Sequence, residues 1–294
     1  MKKIGFVGVG IMGKSMVRNL IKQGYEVTIY NRTKSKVEDV LKEGVKWAQS
    51  AGECAKDKEV VITMVGYPKD VEEVYFGHGG ILDQAMPSAY LIDMTTTSPQ
   101  LSIRIHEEAK KRGLHSIDAP VTGGDSGAKN AALTILVGGE KEDYNTCLPI
   151  FKAMGRNIVY QGCSGSGQHA KMANQIAIAG ALSGVCEAFT YAKRQGLDQE
   201  TVFQAISQGA AGSSQMEQLA PKMFRGDFEP GFFMKHFIKD MKIAMECAKE
   251  KGLDLGVLQQ VLSMCDELAD EGKGNLGTQS LIQYYQKDKQ DDWV

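Results

Sequence analysis

Apolar and polar positions alternate in two different ways along this chain. Through the first half, short Val/Ile-rich runs bounded by Gly, Pro or polar turns predict strands over 3–8, 26–30, 59–65, 89–94, 114–118, 133–137 and 157–160. Between many of them the apolar spacing changes to a helical period, predicting helices over 13–23, 34–42 and 99–112. Such strand–helix alternation calls for an α/β domain, a parallel sheet with helices on both faces. After Gly162 the pattern changes. Gly165-Ser166-Gly167 marks a break, and a helical period over 168–195 is followed by others over 201–207, 216–223, 237–251 and 255–270, with no clear strand. The chain therefore reads as an α/β domain over 1–162 and an all-α domain over 163–294, connected by the helix that starts near Gln168. The charged stretch 286–292 is expected to be solvated or frayed.

Composition narrows the classes. With 43% hydrophobic and 24% charged residues, a chain of 294 residues can bury a sizeable core without a disulfide or metal staple, and disorder is excluded. A formal net charge of −2 argues against a general nucleic-acid binder. The longest apolar stretch, near 176–182, is far short of the roughly 20 residues that span a bilayer, so no membrane segment is expected. The basic start Met1-Lys2-Lys3 and its apolar run are interrupted by Lys14 and Arg18, which suits a buried first strand better than a secretion signal. Cys54, Cys147, Cys163, Cys186, Cys247 and Cys265 are scattered, with no C-x-x-C and no His at zinc spacing. They read as reduced thiols in a cytoplasmic protein, with no metal.

The strongest local signal is Gly8-Val9-Gly10-Ile11-Met12-Gly13. This G-x-G-x-x-G follows the first strand and opens the first helix, the setting in which it binds a dinucleotide. Gly8 permits the tight turn, Gly10 admits a pyrophosphate, and Gly13 allows close helix–strand packing. The helix N-terminus then supplies N–H groups and a positive dipole end. The second strand ends at Asn31-Arg32-Thr33, without the Asp or Glu that binds both ribose hydroxyls in NAD-preferring sites. A guanidinium grips a 2′-phosphate that a carboxylate would repel, so NADP is favoured with NAD still admissible. Arg32 also fits a solvated loop residue.

Further along, Asp93-Met94-Thr95-Thr96-Thr97-Ser98-Pro99 lies where a strand end meets the ligand crevice. Thr96 is suited to the nicotinamide end, while Ser98 before Pro99 reads equally as a helix cap. The Gly-rich loop Thr122-Gly123-Gly124 suits an anionic group such as a substrate carboxylate, or is a plain turn. In Gly165-x-Gly167-x-x-x-Lys171-x-x-Asn174-Gln175, a helix from Gly167 puts Lys171 and Asn174 on one face. A lysine beside a cofactor can polarise a carbonyl and donate a proton as hydride arrives. Taken alone, a helical lysine is usually solvated, and Lys239-Asp240 is an ordinary charge pair.

Together these motifs resemble the β-hydroxyacid dehydrogenase family, which includes 3-hydroxyisobutyrate dehydrogenase, tartronate semialdehyde reductase and succinic semialdehyde reductases. Five motifs in order carry the resemblance over essentially the full length: Gly8 to Gly13, Asp93 to Thr96, Asp118 to Gly124, Gly165 to Asn174, and Lys239-Asp240. The resemblance implies a Rossmann dinucleotide-binding domain followed by an all-α domain, with the active site in the cleft between them. It implies Lys171 as catalytic acid/base, and Asn174 as the residue orienting it and the substrate. Thr122, Gly123 and Gly124 would hold the substrate carboxylate. Met64, Val65 and Asp70 would touch the adenosine side of the cofactor, and Thr96 and Lys239 the nicotinamide side. Phe232 and Asp240 would close the cleft from the helical domain. It further implies a homodimer or homotetramer.

Two departures stand out. Gln175 replaces the second Asn that family members often carry, and Val65-Gly66 replaces the usual Leu-Pro. The expected activity is hydride exchange between NADP(H) and a short β- or γ-hydroxy acid or its semialdehyde, of the 3-hydroxyisobutyrate dehydrogenase type. Succinic semialdehyde/glyoxylate-type and tartronate semialdehyde reduction are the alternatives. Imine reductases and non-catalytic dinucleotide-binding relatives generally lack the lysine, so Lys171 counts against both.

Overall fold

The computed structural model describes residues 1–287. It divides into two compact units, Met1–Lys171 and a second beginning at Met172. The first carries nine strands: β1 Lys3–Val7, β2 Glu26–Tyr30, β3 Lys46–Trp47, β4 Val60–Thr63, β5 Tyr90–Asp93, β6 His115–Asp118, β7 Val121–Thr122, β8 Leu133–Gly138 and β9 Gly155–Gly162. Their order in the sheet is β3-β2-β1-β4-β5-β6-β8-β7, with β9 beside β8. Pairing is parallel from β3 across to β6, whereas β8 runs antiparallel to β6 and β7. The expected parallel α/β sheet is therefore present, with a mixed edge.

Helices α1 Ile11–Lys22, α2 Glu38–Leu41, α3 Ala51–Ala55, α4 Pro68–Phe76, α5 Ile81–Gln84, α6 Pro99–Lys111, α7 Gly124–Lys129 and α8 Lys141–Met154 connect these strands. Two cores flank the sheet, as the period of two demands. Val60, Ile62 and Ile92 join Phe6 and Met16 in one; Val61 and Leu91 join Tyr75 and Ile105 in the other. Burying an Ile or Leu in this way stabilises by about 1.5–3 kcal/mol per side chain. The chain leaves β1 toward β2 on one side and later returns to β4 on the other. That makes the carboxyl ends of β1 and β4 a topological switch point, where open α/β sheets take their ligands.

Helix α9, Ser166–Arg194, contains the division between the units. The second unit continues with α10 Gln199–Ile206, α11 Ser214–Phe224, α12 Met234–Glu250, α13 Gly256–Asp270 and the short α14 Ile282–Tyr285. Its core gathers Phe189, Phe237, Met241, Met264 and Leu268. Among the described residues the helical expectation holds, apart from an isolated β-bridge between Phe233 and Gly277. Two details differ in the first unit. The stretch read as one helix over 34–42 is a 3₁₀ turn, Lys34–Val37, followed by α2. Strands β3 and β7 are additional to those the sequence pattern predicts. No helix among the described residues is long and apolar enough to cross a membrane. Of the charged stretch 286–292, Lys287 pairs with Glu267 and Glu271, and 288–292 lie outside the described residues.

Candidate active site

The turn between β1 and α1 shows why three glycines are needed there, and for different reasons. Gly8 has φ +96°, and a Cβ on it would lie 2.3 Å from the Met64 carbonyl oxygen. A Cβ on Gly13 would lie 2.3 Å from the Gly8 carbonyl oxygen. The protein's own backbone therefore forbids side chains at both. Gly10 is different: its Cβ would meet nothing within 4 Å. It opens on space outside the protein, where a pyrophosphate would lie. Gly10 is also the N-cap of α1, which has no side-chain cap and no acidic residue in its first turn. Those N–H groups and the positive dipole end suit an anion. The residues present fit a nicotinamide dinucleotide.

At the end of β2, the Asn31 side chain accepts from Val9 N–H at 3.2 Å and donates to the Thr33 carbonyl at 2.9 Å, tying this strand end to the glycine turn. Arg32 is 83% exposed, with its guanidinium 3.6 Å from the Asp70 carboxylate. Asp70 also accepts from Tyr67 N–H at 3.0 Å, in the first turn of α4. Val65 N–H donates to Thr95 Oγ1 at 3.0 Å, so the loop after β4 is tied to the loop after β5. Met64 lies against Gly8. Thus the structure brings Gly8–Gly13, Asn31, Met64, Val65 and the Thr95–Thr97 loop to one end of the sheet.

Two buried carboxylates end adjacent strands there, since Asp93 on β5 and Asp118 on β6 pair in register. Asp118 Oδ1 accepts from Gly165 N–H at 2.8 Å and Oδ2 accepts from Gln168 N–H at 2.9 Å. It is an N-cap for α9 supplied by a distant strand. Burial pushes its carboxyl above the usual carboxylate range, and these N–H donors oppose the shift. A Cβ on Gly167 would lie 2.5 Å from the Leu136 carbonyl oxygen and 2.8 Å from Asp118 Oδ2. The second glycine of Gly165-x-Gly167 thus lets the helix start close enough to be capped. Gln168, wholly buried, donates from Nε2 to the Thr95 carbonyl at 2.8 Å, and its Oε1 accepts from Thr97 N–H at 3.1 Å. One turn further along α9 is Lys171, itself only 6% exposed.

Asp93 accepts from Thr63 Oγ1–H at 2.7 Å and from Thr95 N–H at 3.1 Å. Burial pushes its carboxyl up to about 6, with the Thr63 and Thr95 hydrogen bonds opposing. A carboxyl whose folded pKa is raised holds its proton longer folded than unfolded. Its stabilising contribution is therefore complete below about pH 4 and lost as pH rises through about 6, on the order of 1–3 kcal/mol. Asp93→Asn, which keeps an acceptor for Thr63 but cannot titrate, should lose less stability over that window in urea titrations. An equal loss in both proteins would assign the pH effect to another group.

Ser98 is indeed a cap, accepting from Leu101 N–H at 3.1 Å ahead of Pro99. Thr122 ends β7, and Gly123 and Gly124 follow with φ of +120° and +60°, which only glycine adopts without strain. In the second unit, Asn174 Nδ2 donates to Gln175 Oε1 at 2.8 Å, and Gln175 Nε2 donates to Asp240 Oδ2 at 2.7 Å. Lys239 Nζ is 2.9 Å from Asp240 Oδ1. The residue that departs from the family pattern, Gln175, is thus the bridge between Asn174 and Asp240. Phe232 packs against Phe237, with ring centroids 6.1 Å apart. The sequence alone does not single out Gln168, the capping role of Asp118 or the bond from Gln175 to Asp240. A polar residue directly after a glycine at a helix start was the available sign for Gln168.

Residues 3–162 match the family described as the NAD binding domain of 6-phosphogluconate dehydrogenase. Residues 165–285 match the one described as the NAD-binding domain of NADP-dependent 3-hydroxyisobutyrate dehydrogenase. An uncharacterised oxidoreductase of Bacillus subtilis is 52% identical, covering 97% of this chain and 99% of its own. A probable mitochondrial 3-hydroxyisobutyrate dehydrogenase-like protein of Arabidopsis thaliana is 42% identical over 95% of this chain and 84% of its own. Among solved structures, Mycobacterium tuberculosis 3-hydroxyisobutyrate dehydrogenase with L-serine superimposes with a TM-score of 0.88 at 28% identity, covering 96% of this chain and 98% of that one. The glycine cradle and the capped helix with its buried lysine agree with family models and relatives that together span 95% or more of the sequence: the chain belongs to the β-hydroxyacid dehydrogenase family, nicotinamide-dependent oxidoreductases acting on the CH–OH group of hydroxy acids.

Proposed function

We propose that this enzyme interconverts a short β- or γ-hydroxy acid and its semialdehyde, in the manner of a 3-hydroxyisobutyrate dehydrogenase, and prefers NADP(H) to NAD(H). The observation that carries this reading is the buried Lys171 on a helix whose first turn is held by Asp118 and Gln168. When bound, the nicotinamide supplies or accepts the hydride at the carbon bearing the oxygen. Lys171 donates the proton to that oxygen during reduction and takes it from the hydroxyl during oxidation. Asn174, one turn on, orients the lysine and the substrate. Thr122 and the Gly123-Gly124 backbone receive the carboxylate, and Phe232 and Asp240 contact the substrate. The L-serine in the M. tuberculosis structure is itself a short β-hydroxy acid, which supports this substrate class.

Arg32 supports the cofactor preference. Its guanidinium is exposed, no carboxylate follows β2 in its place, and its surface pair with Asp70 is worth only about 0–1 kcal/mol, easily replaced by a phosphate. A screen of short β- and γ-hydroxy acids with NADP⁺ and NAD⁺ tests both points. Turnover with NADP⁺ should exceed that with NAD⁺ by about 10-fold or more in kcat/KM. Arg32→Ala should remove most of that difference and leave NAD⁺ use nearly unchanged. Equal use by the parent enzyme would make Arg32 a solvated residue, and no turnover on any of these acids would reject the substrate class.

Homodimer or homotetramer formation through the second unit completes the proposal. Tyr191, Leu197, Leu253 and Val257 there are 66%, 52%, 60% and 67% exposed, apolar side chains that a second copy would cover. Light scattering at micromolar concentration should give a multiple of 32.1 kDa, and a monomer mass would end this part. All six cysteines are free thiols, which supports a cytoplasmic setting.

A further inference from the structure

We propose that Gln168 is a positioning residue: through one side-chain amide it sets the loop that carries Thr96 at a fixed distance from the helix that carries Lys171. The inference rests on the reading of Lys171 as the proton donor and acceptor. Three hydrogen bonds converge on this one residue. Its backbone N–H goes to Asp118, its Nε2 goes to the Thr95 carbonyl at 2.8 Å, and its Oε1 receives the Thr97 N–H at 3.1 Å. The two clamped residues, Thr95 and Thr97, are buried, and Thr96 between them is half-buried. Lys171 follows Gln168 by three positions, so both lie on the same face of α9. The part of the site suited to the nicotinamide and the part that moves the proton are therefore joined by a single amide.

The chemistry of the amide explains why glutamine stands here. The Thr95 carbonyl needs a donor and the Thr97 amide needs an acceptor, and a neutral amide offers both on one planar group. Asparagine has the same group but reaches one methylene less. Ionised glutamate accepts from Thr97 N–H but repels the Thr95 carbonyl. Methionine fills the volume and makes neither bond. Hydride and proton transfer act on adjacent atoms of one substrate, so a displacement of about 1 Å between the two holders can cost about 10²-fold in rate.

The test uses Gln168→Met, Gln168→Glu, Lys171→Ala and the double variant Gln168→Met/Lys171→Ala, each checked for folding by circular dichroism. Gln168→Met is expected to lower kcat by about 10–100-fold while the dissociation constant for NADPH stays within about 3-fold. In the double variant it should add no further loss to that of Lys171→Ala, because it acts through the lysine. In Gln168→Glu, protonation restores the donor toward Thr95. Its kcat relative to the parent at the same pH should therefore climb as pH falls from about 8 to about 6, the range into which burial brings such a carboxyl. A glutamine that merely supports the fold predicts lower melting temperatures with kcat per folded molecule unchanged. A kcat for Gln168→Met within about 2-fold of the parent, or losses that multiply in the double variant, would overturn the positioning role while leaving Lys171 catalytic. Near-parental turnover by Lys171→Ala would instead overturn the reading on which it rests. Should Gln168→Met not fold, the Gln168→Glu ratio decides, and a ratio flat with pH overturns the proposal.

Discussion

Lys171→Ala lowers kcat by about 10²–10⁴, the usual worth of general acid–base catalysis, in protein that remains folded and binds NADPH nearly as before. Lys171 is 6% exposed, so its aliphatic stem packs as well as its ammonium reacts, and a loss of a few degrees in melting temperature is expected alongside. Asp118 and the Gln168 side chain hold the helix without using the lysine, which is why the fold survives. Lys171→Arg should be nearly as damaging, because a guanidinium stays protonated and cannot accept the hydroxyl proton. A helix lysine with no part in the chemistry predicts full activity for both variants. Turnover within a few-fold of the parent in folded Lys171→Ala would refute the assignment.

Two alanine substitutions in the glycine turn are expected to separate folding from binding. Gly13→Ala puts a Cβ 2.3 Å from the Gly8 carbonyl oxygen, where backbone must move against backbone. Such overpacking costs about 1–3 kcal/mol or more, which urea or thermal unfolding will register. Gly10→Ala meets no atom of the protein within 4 Å, and its φ of −80° and ψ of −158° suit any residue. Its melting temperature should match the parent's. The methyl group nevertheless stands where the pyrophosphate would approach, so the dissociation constant for NADPH should rise by about 10-fold or more, at least about 1.4 kcal/mol. Unchanged affinity would mean that the cofactor does not pass over Gly10.

Much of this was legible because local rules govern it. In the G-x-G-x-x-G turn the positive φ of Gly8 and the close approach of Gly13 to the Gly8 carbonyl are local to six residues, and the long helices α6, α9, α12 and α13 repeat their period several times. Strands β3 and β7, of two residues each, are too short to show any alternation. Their existence depends on β2 and β8 lying alongside. The stretch 34–42 has a helical composition, yet its first turn tightens to 3₁₀ before four α-helical residues. Lys171 and Asn174 were identified through the motif as a whole and not from their own chemistry. Gln168 escaped because its partners Thr95 and Thr97 are 73 and 71 positions away. Gln175 was marked as a departure from the family pattern, but its bond to Asp240, 65 positions away, belongs to the folded chain alone.

The cap on α9 bears on how this chain can be recombined with its relatives. A crossover placed where the sheet ends, at Gly162, would look natural, since the sequence pattern changes there. It would also give Lys171 from one parent a first turn held by β5 and β6 of the other. Of the six groups joined by the hydrogen bonds that hold that turn, the Thr95 carbonyl and the Gly165, Thr97 and Gln168 amides are main chain, which any parent supplies. Only the side chains of Asp118 and Gln168 depend on residue identity. Functional chimaeras joined at that border should therefore be those in which one parent contributes an aspartate at 118 and the other a glutamine at 168, however far the two parents have diverged elsewhere.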